Sequence, residues 1–149
     1  MSIDEEIKQS QFRNPHQKAA INLMYTANWL ESRQKDFFKP FGITNQQFNI
    51  LRILRGQFPQ KISGAEIKSR MIDQNSDVSR LLDRLMVKKM ITKCQSSDDK
   101  RAADVGITEK GLERLKRIDL EITRLDEILS KLTDEEATQL SNLLDRARD

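Results

Sequence analysis

Apolar residues recur along most of this chain at intervals of three and four, the period of a helix with one buried face. Ile21, Met24, Ala27 and Leu30 share one side of a long N-terminal segment, and Pro15 suits its first turn. Thr44-Asn45-Gln46-Gln47 puts a hydroxyl at an N-cap and an amide three residues on, a reciprocal capping pair opening a helix that Gly56 and Pro59 end. The same signature stands at Ser63-Gly64-Ala65-Glu66 and Thr133-Asp134-Glu135-Glu136, and Thr108 can cap a further helix without the return partner. Asn75 or Asp73 can cap a helix running through Val78, Leu81, Leu82 and Leu85. Only 90–95 and 102–107 read as strands, the second alternating Ala103, Val105 and Ile107. Between them lies Ser96-Ser97-Asp98-Asp99-Lys100-Arg101, so the pair is a β-hairpin with a charged tip.

The predicted order is long helix, helix, short helix, helix, hairpin, long helix, helix. A short helix near 63–70, a tight turn, a second helix near 75–88 and a hairpin follow the plan of a winged helix-turn-helix. The expected fold class is mainly α with a small β-hairpin wing. Residues 1–149 form one domain, with the winged helix-turn-helix core at 44–107. Leu112, Leu115, Ile118, Ile122, Leu125, Leu129 and Leu132 form a narrow seam, as on a helix packed lengthwise against another. Packing within one chain is one account. Few helices remain to cover so long a seam, which points to a homodimer through the helices of 1–40 and 108–149.

Composition narrows the classes. With 37% hydrophobic and 33% charged residues in 149, a small core plus buried surface between subunits fits better than one large core. No apolar run approaches the ~18 residues of a membrane span, and MSIDEEIKQSQ lacks the layout of a signal peptide, so a cytoplasmic protein is expected. One cysteine and one histidine exclude a disulfide framework and a closed zinc site. There is no Gly-rich phosphate loop, and His16 stands remote from any nucleophile, so neither enzyme activity nor a cofactor or metal is expected. Cys94, beside Lys93, reads either as a redox-sensitive thiol or as an ordinary buried cysteine.

Charge is uneven. Residues 61–101 carry ten Lys/Arg against six Asp/Glu, whereas 102–149 carry eight against twelve. This suits an anionic partner met by one part of the molecule, or else a solvated surface. Gln74, Asn75, Ser76, Asp77, Ser79 and Arg80 begin the second helix of the pair, where a recognition helix comes nearest to base edges. Asn can pair two-handed with adenine and Arg with guanine, and backbone N–H groups there attract phosphate. The same residues equally suit a capped surface helix. Asp77 repels phosphate unless it accepts from cytosine or pairs with an Arg. Arg84, Lys88 and Lys89 continue along the helix towards a nucleic-acid backbone. Double-stranded DNA is the partner this pattern suggests. A winged-helix protein-interaction module without sequence-specific DNA binding is the competing reading, motivated by Asp77 and the acidic 102–149.

Ser76-Asp77-Val78-Ser79-Arg80-Leu81-Leu82-Asp83-Arg84-Leu85, then Lys88-Lys89-Met90-Ile91, then Asp99-Lys100-Arg101 with Val105, Ile107-Thr108 and Lys110-Gly111, resembles the multiple-antibiotic-resistance-regulator (MarR) family. Residues 46–54 are similar to the family's preceding helix, and the resemblance spans roughly 20–148. Met90 stands where the family usually has Gly, and Ile107 replaces the usual Leu. The resemblance implies a homodimer on a pseudo-palindromic operator, usually a repressor, with release by a small aromatic or amphipathic effector. It also implies a DNA-binding set of Asp99, Lys100 and Arg101 at the wing. Arg101 would enter the minor groove, whose negative potential attracts Arg, while Asp99 orients nearby basic side chains. A plain Asp99–Arg101 surface pair is the alternative.

Overall fold

Side-chain caps set most helix starts in the computed structural model, which describes residues 1–96 and 102–149. A short N-terminal helix, α1 (Ile3–Glu6), precedes α2 (Pro15–Phe38), whose first turn holds Pro15 and whose cap is Asn14. Thr44 caps α3 (Asn45–Gln57), Ser63 caps α4 (Gly64–Arg70), and Asp77 caps α5 (Val78–Val87). Thr108 caps α6 (Glu109–Asp119), the short α7 (Thr123–Asp126) has no side-chain cap, and Thr133 caps α8 (Asp134–Arg148). Each capping oxygen accepts an N–H that the first helical turn leaves unpaired. Between α2 and α3 the chain makes a 3-10 turn at Lys39–Phe41 and reverses at Gly42, whose φ of 70° is a left-handed conformation cheap only for glycine.

The hairpin forms as read, from β2 (Ile91–Gln95) and β3 (Ala103–Ile107). A third strand, β1 (Ile62–Ser63), corrects the two-stranded expectation. It pairs antiparallel with β3 in the order β1-β3-β2, with Ile62 and Lys93 both opposite Val105. Two residues are too few to show alternation.

The core lies beneath α5. Ile50, Leu51 and Leu54 of α3, Ile67 of α4, Leu85 of α5, Val105 of β3, and Leu115 and Ile118 of α6 are fully buried together. This redistributes the leucine seam. The expected long helix is interrupted after Asp119, and α7 with a 3-10 turn at Glu127–Leu129 follows. Leu115 and Ile118 fill this chain's own core, while Leu112, Ile122 and Leu125 pack partly buried against it. Leu132 is half-buried and Leu129 is exposed. The seam from Leu112 to Leu125 therefore packs within the chain.

Two further contacts matter below. α6 starts hard against the base of the hairpin, where a Cβ on Gly111 would lie 2.4 Å from the Met90 carbonyl oxygen. At the other end of the chain, α1 lies back on α2. Lys18 pairs with Asp4 at 2.8 Å, the Tyr25 hydroxyl donates to Glu6 Oε2 at 2.8 Å, and Ile3 is buried. Among the described residues no helix is long and apolar enough to cross a membrane.

Candidate nucleic-acid interface

The turn leading into α5 is held by side chains of α3. Asn49, buried on α3, accepts the Ile72 N–H at 2.9 Å. Asp73 takes Gln46 Nε2 at 3.2 Å and the Asn75 N–H at 2.9 Å on its carboxylate, and the Ser76 N–H at 3.2 Å on its carbonyl. Asp73 is thereby occupied within the turn. The N-cap of α5 is Asp77, whose Oδ1 accepts the Arg80 N–H at 3.2 Å, in place of the expected Asn75 or Asp73. The sequence offers several cap formers in a row, and only the path of the turn selects among them.

From that start α5 sorts its side chains by helical period. Val78, Leu81, Leu82 and Leu85 point into the core, and Ser79, Arg80 and Arg84 are exposed along the outer face. Asn75 and Asp77 are exposed at its leading end. Ser76 departs from the expected surface set: it is buried at 5% exposure, and its Oγ has no hydrogen-bond partner among the described residues. Beside α5 runs a groove of about 470 Å³ whose walls include Ser63 and Lys68, Ser79 and Leu82, and Lys93 and Val105. The sequence pattern does not single out Lys68 or Lys93 as a site residue. The hairpin register is the signal for Lys93, since it faces Val105 across the pair and sits where the strand meets α5. Lys93 reaches Asp83 at 3.4 Å, which offsets that carboxylate on the outer face.

The two lysines at the end of α5 behave differently. Lys89 is exposed, as a phosphate contact requires, and adopts a left-handed φ of 61°. It is thus Lys89 that turns the chain into β2, whereas Met90, expected at the turn from the family pattern, is a core residue at 2% exposure. Lys88 is turned inward. Its ammonium donates to the Gly42 carbonyl and to Gln47 Oε1, the latter at 3.0 Å. Burial, with Arg114 and Arg84 close by, holds its pKa below the ordinary lysine value. Two of its three N–H donors are thus taken within the fold, a use that the expected backbone contact did not include.

Asp99, Lys100 and Arg101 lie outside the described residues. Cys94 on β2 is exposed rather than buried, with Lys61 Nζ 3.6 Å from its sulfur. Among the described residues no group of three or more His, Cys, Asp or Glu side chains is placed to hold a metal ion.

The arrangement has relatives. A model of the MarR family matches residues 43–103, the stretch from the approach to α3 through the start of β3. The uncharacterized HTH-type transcriptional regulator YkoM of Bacillus subtilis (strain 168) is 30% identical over 110 residues, which cover 73% of this chain and 70% of that protein. The HTH-type transcriptional regulator PapX of Escherichia coli is 26% identical over 108 residues, and the match spans 66% of its length. The fold is similar to that of a mutant MarR from E. coli solved in complex with operator DNA, with a TM-score of 0.79 at 24% identity, covering 93% of this chain and 99% of that one.

Proposed function

The chain belongs to the MarR family of transcriptional regulators, and from that premise we propose that it is a homodimer binding a pseudo-palindromic DNA operator, acting there as a repressor. One observation carries the DNA reading: α5 buries its apolar face in the core and holds Ser79, Arg80 and Arg84 outward beside a groove flanked by Lys68 and Lys93. A helix so presented suits the major groove, where short polar side chains and a guanidinium distinguish base pairs. Arg84 and Lys89 then serve phosphates, and Arg101 follows the adjacent minor groove. The proposed domain plan keeps the reading head at 44–107 and gives dimerisation to 1–40 and 108–149. Apolar side chains left exposed on α2 and α8 support it, among them Leu23, Met24, Leu140 and Leu143.

The test is selection of bound duplexes from a random DNA pool, followed by salt titration of the enriched duplex. An inverted repeat and a steep negative dependence of affinity on salt are expected, each neutralised phosphate contributing a slope of about −0.9. A pool that stays random, with no salt-dependent binding, would replace this reading by the protein-interaction module.

A further inference from the structure

The inward turn of Lys88 has a counterpart on another helix. Arg114, on α6, donates through Nη1 to the Phe41 carbonyl, one residue from the carbonyl that Lys88 takes. Phe41 is the last residue of the 3-10 turn that continues α2 and Gly42 its left-handed cap, so both carbonyls lie where a long helical run ends. Such carbonyls have no partner within the helix and sit at the negative end of its dipole. Two cations from two other elements satisfy them. Among the described residues neither cation forms an ion pair with a carboxylate, and a Cβ on Gly42 would sit 3.5 Å from Arg114 Nη1. Like charges brought this close repel, and what offsets the repulsion here is the row of carbonyl oxygens.

The same knot includes the start of α3. Gln47, buried at 2% exposure, accepts the Thr44 N–H at 3.1 Å on the oxygen that also takes Lys88. The end of α2, the start of α3, the end of α5 and the body of α6 therefore meet at one place. We propose that Lys88 and Arg114 act together as a clamp on the carboxyl end of α2, fixing how α5 is presented to DNA. They are positioning residues for sequence-specific binding, not DNA contacts. The inference rests on the DNA-binding reading above, but its mechanical part is testable without DNA.

The variants are Lys88→Met, Arg114→Met, their double, and Lys88→Arg, each first checked for a cooperative thermal transition. Without DNA, hydrogen exchange should accelerate in both segments 39–47 and 78–90 in either single Met variant, although Arg114 lies in neither segment. Strand β3 should keep its protection. With DNA, Lys88→Met should weaken binding to the pool-enriched duplex by roughly tenfold, the worth of one charge-assisted hydrogen bond. Its affinity for a shuffled duplex, and the salt slope on that duplex, should stay at wild-type values. Lys89→Gln, by comparison, should lower the slope by about one. Lys88→Arg should restore most of the loss, and the double variant should be little worse than either single one, as for residues acting as a unit.

The clamp is overturned if Arg114→Met leaves 78–90 as protected as in the wild type. It is also overturned if Lys88→Met lowers the salt slope and weakens both duplexes alike, the signature of a phosphate contact. Should wild-type protein fail to prefer the enriched duplex, the DNA reading falls, and the exchange result alone decides the clamp. Should Lys88→Met fail to fold, Arg114→Met and Lys88→Arg carry the same comparisons.

Discussion

Tyr25 is the chain's one tyrosine, and its hydroxyl donates to Glu6 Oε2 at 2.8 Å. That bond exists only while the phenol is protonated, so it raises the Tyr25 pKa above its ordinary value, with partial burial and the Glu6 charge adding to the rise. The sign follows: the contact contributes fully below the ordinary phenol pKa of about 10 and is lost as pH rises through the higher folded value. Near-ultraviolet titration of tyrosinate reports this single group directly. Glu6→Ala should bring the midpoint down towards the ordinary value, and an unmoved midpoint would mean that α1 does not rest on α2 in solution. Lys89 offers a second test at this scale. A side chain in the left-handed region costs about 1–2 kcal/mol, part of which glycine forfeits in unfolded-state entropy. Lys89→Gly should therefore stabilise the fold by up to about 1 kcal/mol, measured as a higher urea midpoint.

At the scale of elements, α5 hangs on one carboxylate at its start. Asp77→Ala should lower stability by about 1 kcal/mol, while Asp77→Asn, which keeps an accepting oxygen, should lose much less; urea titration of both decides it. Leu115, fully buried at the middle of α6, should cost about 2–5 kcal/mol when cut to Ala. The elements also show what a sequence reveals. Starts at Thr44, Ser63, Thr108 and Thr133 are legible because a cap is local chemistry within four residues. The interruption after Asp119 is not legible: the apolar spacing simply continues across it as Ile118, Ile122 and Leu125, with no Gly or Pro to mark the bend. The outward set Ser79, Arg80 and Arg84 follows from helical period. The inward turns of Ser76 and Lys88 depend on where α3 and the 41–42 loop lie, which no local pattern records.

For the whole molecule, the matter of covering falls on α2 and α8. Leu23, Met24 and Trp29 on the one, and Leu140 and Leu143 on the other, are between 37% and 61% exposed. Exposed apolar side chains of this kind are what the proposed dimer would cover. Leu143→Glu should shift the protein towards monomer in sedimentation velocity, whereas Leu115→Ala should leave the folded protein's mass unchanged. An unaltered mass for Leu143→Glu would remove α8 from the proposed interface. Farther along the chain, Gly111 lets the start of α6 rest on bare backbone at Met90, and the Thr108 hydroxyl stitches the same spot to the Lys89 carbonyl at 2.8 Å. Mechanically this is a joint with little slack, backbone against backbone at Met90 with the Ile107 side chain packed beside it. A tilt of α6 would therefore carry the base of the wing with it, as a crank carries its shaft.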